Sequence, residues 1–95
     1  MAFHQDYLSA EQPAVGQLVR ELRQTLKLTQ EKFATQLGVS FPTINRWENG
    51  HATPSPLAIK QIEMLLNQLS ESSNVTLREQ SRAMRRKFSS EELKA

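Results

Sequence analysis

The feature that most constrains the fold of this chain is the stretch of residues 28–50, LTQEKFATQLGVSFPTINRWENG. It contains two short segments whose apolar residues recur at helical spacing, with Gly38 between them. Thr29 and Ser40 stand just before these segments, where a side-chain oxygen can accept a hydrogen bond from a free backbone N–H group. Gly38 suits the left-handed conformation that ends many helices. The stretch therefore predicts two helices joined by a tight turn.

Helical spacing continues on both sides of this stretch. A first helix is expected from Pro13 to about Lys27, because its apolar residues fall at i, i+3, i+4, i+7 and i+11. Further on, Ser55 can cap a helix that begins at Pro56, and another amphipathic helix is expected around residues 77–88. The sequence contains no alternation of apolar and polar residues long enough to indicate a β-strand. The sequence therefore predicts an all-α fold, a compact bundle of about five short helices that contains a helix-turn-helix.

The second helix of the central pair, expected over residues 41–49, has two faces of different chemistry. Ile44, Trp47 and Glu48 fall at i, i+3 and i+4 and share one side. Ile44 and Trp47 are apolar and should pack on the neighbouring helices. The opposite side is therefore expected to face away from the core, and it carries Phe41, Pro42, Asn45, Arg46 and Asn49.

The side chains of this opposite face suit the edges of DNA bases. Arginine pairs with the O6 and N7 atoms of guanine, asparagine pairs with adenine, and apolar groups contact the methyl group of thymine. Thr43, at the start of the helix, could donate a hydrogen bond to a phosphate, as could the backbone N–H groups at both helix N-termini. On an arbitrary helix such residues are usually only solvated. In a helix-turn-helix, however, the second helix enters the major groove.

The positive charge of the chain is concentrated towards its C-terminus. Residues 1–77 contain six Lys/Arg and seven Asp/Glu, whereas residues 78–95 contain six Lys/Arg and three Glu. A nearly neutral DNA-reading domain should bind weakly alone, because phosphate neutralisation supplies much of the affinity. We therefore expect extra affinity from the basic segment, or from a homodimer formed through the fourth helix or the C-terminal segment.

Several other function classes are disfavoured by the sequence. The chain has no cysteine, and His4 and His51 have no neighbours arranged as metal ligands. It also lacks a glycine-rich phosphate loop and a nucleophile–base arrangement, so neither an enzyme nor a cofactor is expected. An apolar run of the roughly 20 residues that span a membrane is absent, as is a secretory signal. These observations favour a cytoplasmic, nucleoid-associated protein that does not bind membranes.

Four motifs occur in order between residues 14 and 70: Val19-x-x-Leu22-Arg23, Leu28-Thr29-Gln30-x-x-Phe33-Ala34, Leu37-Gly38-Val39-Ser40 and Thr43-Ile44-x-Arg46-Trp47-Glu48-Asn49-Gly50. At this spacing the chain resembles the lambda-repressor-like helix-turn-helix family, also called the xenobiotic-response-element family of prokaryotic regulators. The resemblance implies a repressor-like transcriptional regulator that binds double-stranded DNA as a homodimer. The family also includes antitoxins of toxin–antitoxin pairs.

The resemblance also implies roles for individual residues. It gives Gln30 a phosphate-side role, and it pairs Arg23 with Glu48 in an internal salt bridge that ties the first helix to the third. Many relatives have a polar residue where this chain has Phe41 and Pro42, so readout here is expected to depend more on methyl contacts and DNA shape. The full set of predicted DNA-binding residues is Gln30, Ser40, Phe41, Pro42, Thr43, Asn45, Arg46 and Asn49.

The organisation predicted around the motif has three parts. Residues 1–12 form an N-terminal lead-in, residues 13–72 the DNA-binding domain, and residues 73–95 a basic amphipathic C-terminal segment. In that last segment an apolar stripe at i, i+7 and i+11 can either pack on the fourth helix or bind a protein partner through residues 77–88. The second possibility would suit an antitoxin-like or adaptor protein that regulates its own gene through the helix-turn-helix. The stripe consists of Leu77, Met84 and Phe88.

Overall fold

The computed structural model describes residues 8–89, and within that range the chain forms five α-helices. Residues 1–7 and 90–95, the ends of the predicted lead-in and C-terminal segment, lie outside the described residues. The described residues form no strand, only an antiparallel bridge between Leu8 and Ser89. The predicted all-α class is confirmed by helices α1 (Ala14–Thr25), α2 (Gln30–Leu37), α3 (Phe41–Glu48), α4 (Pro56–Ser70) and α5 (Val75–Lys87).

Small polar side chains set the start of four helices. Each accepts a hydrogen bond from the backbone N–H group three residues further on, which would otherwise lack a partner in the first helical turn. The predicted caps before α2, α3 and α4 are confirmed, and α5 has an asparagine cap of the same kind. At donor–acceptor distances of 3.1 to 3.3 Å, the capping residues are Thr29, Ser40, Ser55 and Asn74.

Glycines in the left-handed conformation follow the two helices of the central pair. Gly38 takes a φ of 74° after α2, and Gly50 takes a φ of 80° after α3. Glycine adopts this conformation without the steric cost that a Cβ atom would add. The helix α3 itself ends at Glu48, and Asn49, predicted as its last residue, is the C-cap.

The first helix ends two residues earlier than the sequence predicts. It stops at Thr25 rather than near Lys27, because Lys27 itself takes a left-handed φ of 59°. The N–H group of Leu28 then donates back to the carbonyl of Arg23 at 3.1 Å, which satisfies one of the last free carbonyls of the helix. A lysine at this position carries no sequence signal for a helix end.

One cluster of buried apolar side chains joins the five helices, and such burial is the main favourable term in folding. Within the described part of the chain, Leu8, Met84 and Phe88 belong to this cluster although they lie outside the predicted domain 13–72. The segments that flank that domain therefore contribute to the same core. The other members are Leu18, Val19, Leu22, Phe33, Ala34, Leu37, Ile44, Trp47, Ala58, Ile62, Leu66 and Leu69.

The helices pack in a closed ring around this cluster. Helix α1 packs on α3 and α5, α3 packs on α2, α2 packs on α4, and α4 packs on α5. The ring therefore holds α3 between α1 and α2 and places α5 against α1 and α4. None of the helices in residues 8–89 has the length and apolar composition needed to cross a membrane.

The apolar stripe of the C-terminal segment packs inside the bundle. Met84 and Phe88 are each only 4% exposed, and Leu77 is half-buried. The fully buried Ser81 adds a polar contact, because its Oγ donates to the carbonyl of Leu66 at 2.7 Å. Of the two possibilities that the sequence leaves open for this stripe, the structure shows packing within the protomer.

Candidate nucleic-acid interface

Helix α3 divides into a buried side and an open side. Ile44, Trp47 and Glu48 are buried, in agreement with the shared face that their spacing predicts. On the opposite side Phe41 is 44% exposed. The remaining residues of that side are also accessible: Pro42, Arg46 and Asn49 are exposed and Asn45 is half-buried.

A two-point ion pair fixes the buried side of α3 to α1. The guanidinium of Arg23 donates from Nε to Oε2 of Glu48 at 2.7 Å and from Nη2 to Oε1 at 3.0 Å. Its Nη1 also donates to the carbonyl of Leu28 at 3.0 Å, beyond the end of α1. The side chain of Glu48 is only 1% exposed, and that of Arg23 17%. Because a forked contact of this kind restrains orientation as well as distance, it sets how α3 sits on α1.

A second arginine supports the same carboxylate from the surface. Arg20, whose side chain is 48% exposed, places Nε at 3.4 Å from Oε1 of Glu48. Its Nη2 donates to the backbone carbonyl of Glu48 at 3.2 Å. Arg20 lies one helical turn before Arg23 on α1. Nothing in its spacing distinguishes it from the other surface residues of α1.

Opposing effects act on the pKa of Glu48. Burial alone would raise that pKa, but hydrogen bonds from Arg23 and Gln30, together with the charge of Arg23, lower it below its ordinary value. The hydrogen bond to Glu48 is the main cause that raises the pKa of Arg23. Both groups are therefore charged at neutral pH, and the pair is suited to holding two helices together.

A chain of side-chain amides leads from this ion pair to the open side of α3. Nε2 of Gln30 donates to Oε1 of Glu48 at 3.0 Å, and Oε1 of Gln30 accepts from Nδ2 of Asn45 at 3.2 Å. The chain continues to Asn49, whose Nδ2 donates to Oδ1 of Asn45 at 3.1 Å. The structure thus brings together three of the predicted DNA-binding residues in one hydrogen-bonded row.

The other predicted contacts lie around the start of α3. The Oγ of Ser40 is 2.8 Å from Oγ1 of Thr43 and also accepts from the Thr43 N–H, so both side chains stand at the helix N-terminus. Phe41 and Pro42 follow on the exposed side. Arg46 lies one turn further along the helix, also exposed. The eight predicted residues therefore lie at the start of α2 and between the N-cap and the C-cap of α3.

Gln12, a residue to which the sequence assigned no role, anchors the far end of α3. Nε2 of Gln12 donates to the carbonyls of Trp47 at 2.9 Å and Ala52 at 2.7 Å, and its Oε1 accepts from the N–H of Gly16 at 3.1 Å. The approach is close at Gly16, where an added Cβ would lie 2.4 Å from the Trp47 carbonyl oxygen. A glycine inside a helical pattern was the available signal, since it often marks close backbone packing. The sequence offered no such signal for Gln12.

The positive charge of α5 meets the C-terminal end of α4. Nη1 of Arg78 donates to the carbonyl of Ser72 at 3.2 Å, and Nη2 of Arg82 donates to that of Ser70 at 3.3 Å. Arg85 hydrogen-bonds to the side chain of Asn67 in the same region. Cations are favourable near the negative end of a helix dipole, so part of this charge serves the packing of α4 and α5.

The fold and the geometry of α3 define a helix-turn-helix protein, and comparison with known families agrees. The family model described as helix-turn-helix matches residues 19–73, more than half of the chain. The chain therefore belongs to the helix-turn-helix family, of the lambda-repressor-like type that its motifs indicated. This is a family of DNA-binding domains.

Three proteins are similar to about half of this chain. HTH-type transcriptional regulator RghRB of Bacillus subtilis (strain 168), described as uncharacterized, is 44% identical over 52 residues, which cover 54% of this chain and 37% of that protein. Vegetative-specific protein H7 of Dictyostelium discoideum is 34% identical over 55 residues, 58% of this chain and 53% of that protein. Propionyl-CoA carboxylase regulator of Cereibacter sphaeroides is 42% identical over 50 residues, 53% of this chain and 11% of that protein.

Each of these similarities covers between 53% and 58% of the chain. The matched parts span from 11% to 53% of the relatives' own lengths, so the chain corresponds to about half of a relative or less. No solved structure matches the chain significantly.

Proposed function

We propose that this protein is a sequence-specific DNA-binding transcriptional regulator that places α3 in the major groove. The observation that carries the proposal is the arrangement of α3. Its inner side is held by the pair of Arg23 and Glu48, while its outer side presents polar side chains and the apolar residues Phe41 and Pro42 to solvent. The names of the relatives from Bacillus subtilis and Cereibacter sphaeroides, both regulators, support this role.

Within this proposal the outer residues divide into base-reading and backbone-binding groups. Arg46 pairs with O6 and N7 of a guanine, Asn45 pairs with an adenine, and Phe41 and Pro42 contact thymine methyl groups. The backbone-binding group fixes the position of α3 along the groove without selecting a sequence. It consists of Gln30, Ser40, Thr43 and Asn49.

We also propose that the protein binds its operator as a homodimer. A single copy of α3 carries one arginine, and phosphate contacts from one protomer supply limited affinity. Leu57 and Met64 on α4 are 68% and 55% exposed, and their i, i+7 spacing places them on one side of the helix. Helix-turn-helix dimers bind two half-sites about one turn of DNA apart, roughly 34–36 Å, so we expect this spacing in the operator.

Selection of bound sites from a random pool of DNA duplexes tests the proposed function. The expected result is enrichment of one sequence composed of two inverted halves, separated by about 10 base pairs from centre to centre. Enrichment of a single, unrepeated half would contradict the homodimer but retain sequence-specific binding. Failure to enrich any sequence, with a preparation that binds bulk DNA, would contradict sequence-specific regulation itself.

A further inference from the structure

Glu48 gives the row of amides next to it a fixed direction. An ionised carboxylate only accepts hydrogen bonds, whereas an amide can present either its oxygen or its nitrogen. Gln30 therefore has to turn its NH2 group towards Glu48, and Nε2 lies 3.0 Å from Oε1 of that carboxylate. The two orientations of an isolated glutamine amide are otherwise nearly equivalent in shape. The buried charge thus removes an ambiguity that the amide alone would keep.

The same direction passes outward along the row. With its NH2 group on Glu48, Gln30 presents its oxygen to Asn45, and Nδ2 of Asn45 donates to it at 3.2 Å. The oxygen of Asn45 consequently faces Asn49, whose Nδ2 donates to it at 3.1 Å. Exposure rises along the row from the buried Glu48 through half-buried Gln30 and Asn45 to the exposed Asn49. The polarity of a core group therefore reaches the surface of α3.

We propose that Gln30 is a positioning residue for base readout, which transmits the fixed hydrogen-bond direction of Glu48 to the amide of Asn45. This inference rests on the proposed function, in which Asn45 meets a base, and it goes beyond the phosphate-side role implied for Gln30. In the row, Asn45 retains one N–H donor and one free acceptor position on its oxygen. A donor and an acceptor held in a set order suit N7 and the N6 amino group of adenine.

Loss of Gln30 should therefore change the choice of base more than the total affinity. The terminal torsion of asparagine has two broad and nearly equivalent orientations, so an unrestrained Asn45 can present its donor and acceptor in either order. A base other than adenine then becomes acceptable at that position. The contact of Arg46 with its own base does not pass through the row, so preference at that second position should remain.

The test is site selection, followed by affinity measurements on single-base variants of the selected duplex, with four single variants and one double variant of the protein. Gln30→Met keeps the length of the side chain and removes the amide, and Gln36→Met makes the same change at an exposed position of α2. Asn45→Ala and Arg46→Ala identify the base pairs that these residues read. Ratios of affinity between duplexes do not depend on the folded fraction of a preparation, so partial unfolding of a variant does not affect the readout.

The expected result is loss of discrimination, on the order of tenfold, for Gln30→Met at the base pair where Asn45→Ala loses it. Gln30→Met should discriminate as the wild type does at the base pair read by Arg46. The control Gln36→Met should discriminate as the wild type does at every base pair. The double variant Gln30→Met/Asn45→Ala should discriminate no less than Asn45→Ala alone.

Three results would overturn the role of Gln30. In the first, Gln30→Met discriminates between bases as well as the wild type does. In the second, Gln30→Met loses the same affinity on every duplex, as loss of a phosphate contact predicts. In the third, Asn45→Ala keeps the base preferences of the wild type. Each of these requires a wild-type protein that selects a site. A wild-type protein that selects none would instead contradict the proposed function.

Discussion

Glu48 is the residue on which the position of α3 most depends. Its carboxylate is almost fully buried and accepts hydrogen bonds from Arg23, Arg20 and Gln30. A buried charge is tolerated only while its partners are in place, because an unpaired ion in the interior carries a large desolvation cost. The two arginines differ in exposure, 17% against 48%, so their contributions can be separated.

Removal of Arg23 should destabilise the protein far more than removal of Arg20. We expect Arg23→Met to lower the free energy of unfolding by about 3 kcal/mol, because it leaves the buried carboxylate without its main partner. Arg20→Met is the matched control and should cost about 1 kcal/mol or less, since exposed ion pairs contribute little. Urea unfolding at pH 7 measures both. Equal losses would show that the fork between Arg23 and Glu48 is not the principal restraint.

The lowered pKa of Glu48 gives the fold a specific dependence on pH. Between the folded and the unfolded pKa of this group the unfolded chain binds more protons, so the free energy of unfolding rises with pH. The stabilisation is complete above the unfolded pKa, about 4.3, and is lost as the pH falls from there through the folded value. Glu48→Gln removes the titrating group, and the variant should be less stable at pH 7 with a shallower decline on acidification. Parallel curves for the two proteins between pH 7 and pH 3 would contradict this account.

At the scale of the helices, the sequence predicted the residues at which helices begin better than those at which they end. Thr29, Ser40 and Ser55 are chemically suited to capping, and local chemistry determines where a capped helix begins. The end of α1 could not be predicted in this way, because Lys27 adopts a left-handed conformation without a glycine. The two faces of α3 followed from spacing alone, since Ile44 and Trp47 share one side of any helix over these residues.

The contacts between helices that hold the interface were harder to predict. Gln12 and Gly16 act at the crossing of α1 with the end of α3, and both depend on backbone atoms of distant residues. The row from Glu48 through Gln30 to Asn45 also joins two helices. Sequence spacing describes one helix at a time, so the residue types on each face were predictable while these pairings were not.

Gly16 provides a test of the crossing between α1 and α3. Alanine is favoured over glycine inside a helix by about 1 kcal/mol, so Gly16→Ala would stabilise a helix with free space around it. Here the added Cβ would lie 2.4 Å from the carbonyl oxygen of Trp47, and the two helices must move apart. We expect a net loss of about 1–3 kcal/mol in the free energy of unfolding, as for other overpacked sites.

The control for this substitution is Gln17→Ala, one residue further along α1. Gln17 is exposed, so the change tests helix propensity without altering the crossing. Its effect on the free energy of unfolding should stay within about 0.5 kcal/mol, as for most surface substitutions. If thermal or urea unfolding shows that Gly16→Ala is as stable as Gln17→Ala, the crossing is looser than the structure indicates.

For the whole molecule, the uneven charge was evident from the sequence but its placement was not. Arg78, Arg82 and Arg85 fold back on the end of α4, and α5 packs on α1 and α4. Composition reports a basic segment without saying which surface the charges reach, because that depends on how α5 docks. Among the described residues, three large apolar side chains are exposed outside α3: Leu57 and Met64 lie on α4, and Val75 lies at the start of α5.

The proposed homodimer predicts a specific effect of charge on α4. The double variant Leu57→Lys/Met64→Lys should sediment as a monomer at concentrations where the wild type is a dimer, because each copy would place two like charges in the contact. It should also lose most of its affinity for a two-half operator. Val75→Lys is the control, since Val75 is 58% exposed at the start of α5 rather than on α4. If only Val75→Lys dissociates the dimer, the dimer contact involves the start of α5 and not Leu57 and Met64 of α4.

The central claim is that the outer side of α3 reads base edges in the major groove, and modified bases in the selected duplex test it most directly. Replacing the guanine read by Arg46 with 7-deazaguanine removes the N7 acceptor of the major groove, whereas inosine removes only the amino group of the minor groove. We predict that 7-deazaguanine weakens the binding of the wild type by about tenfold and does not change the binding of Arg46→Ala. Inosine should change the binding of neither protein. Weakening by inosine without an effect of 7-deazaguanine would contradict major-groove reading by α3.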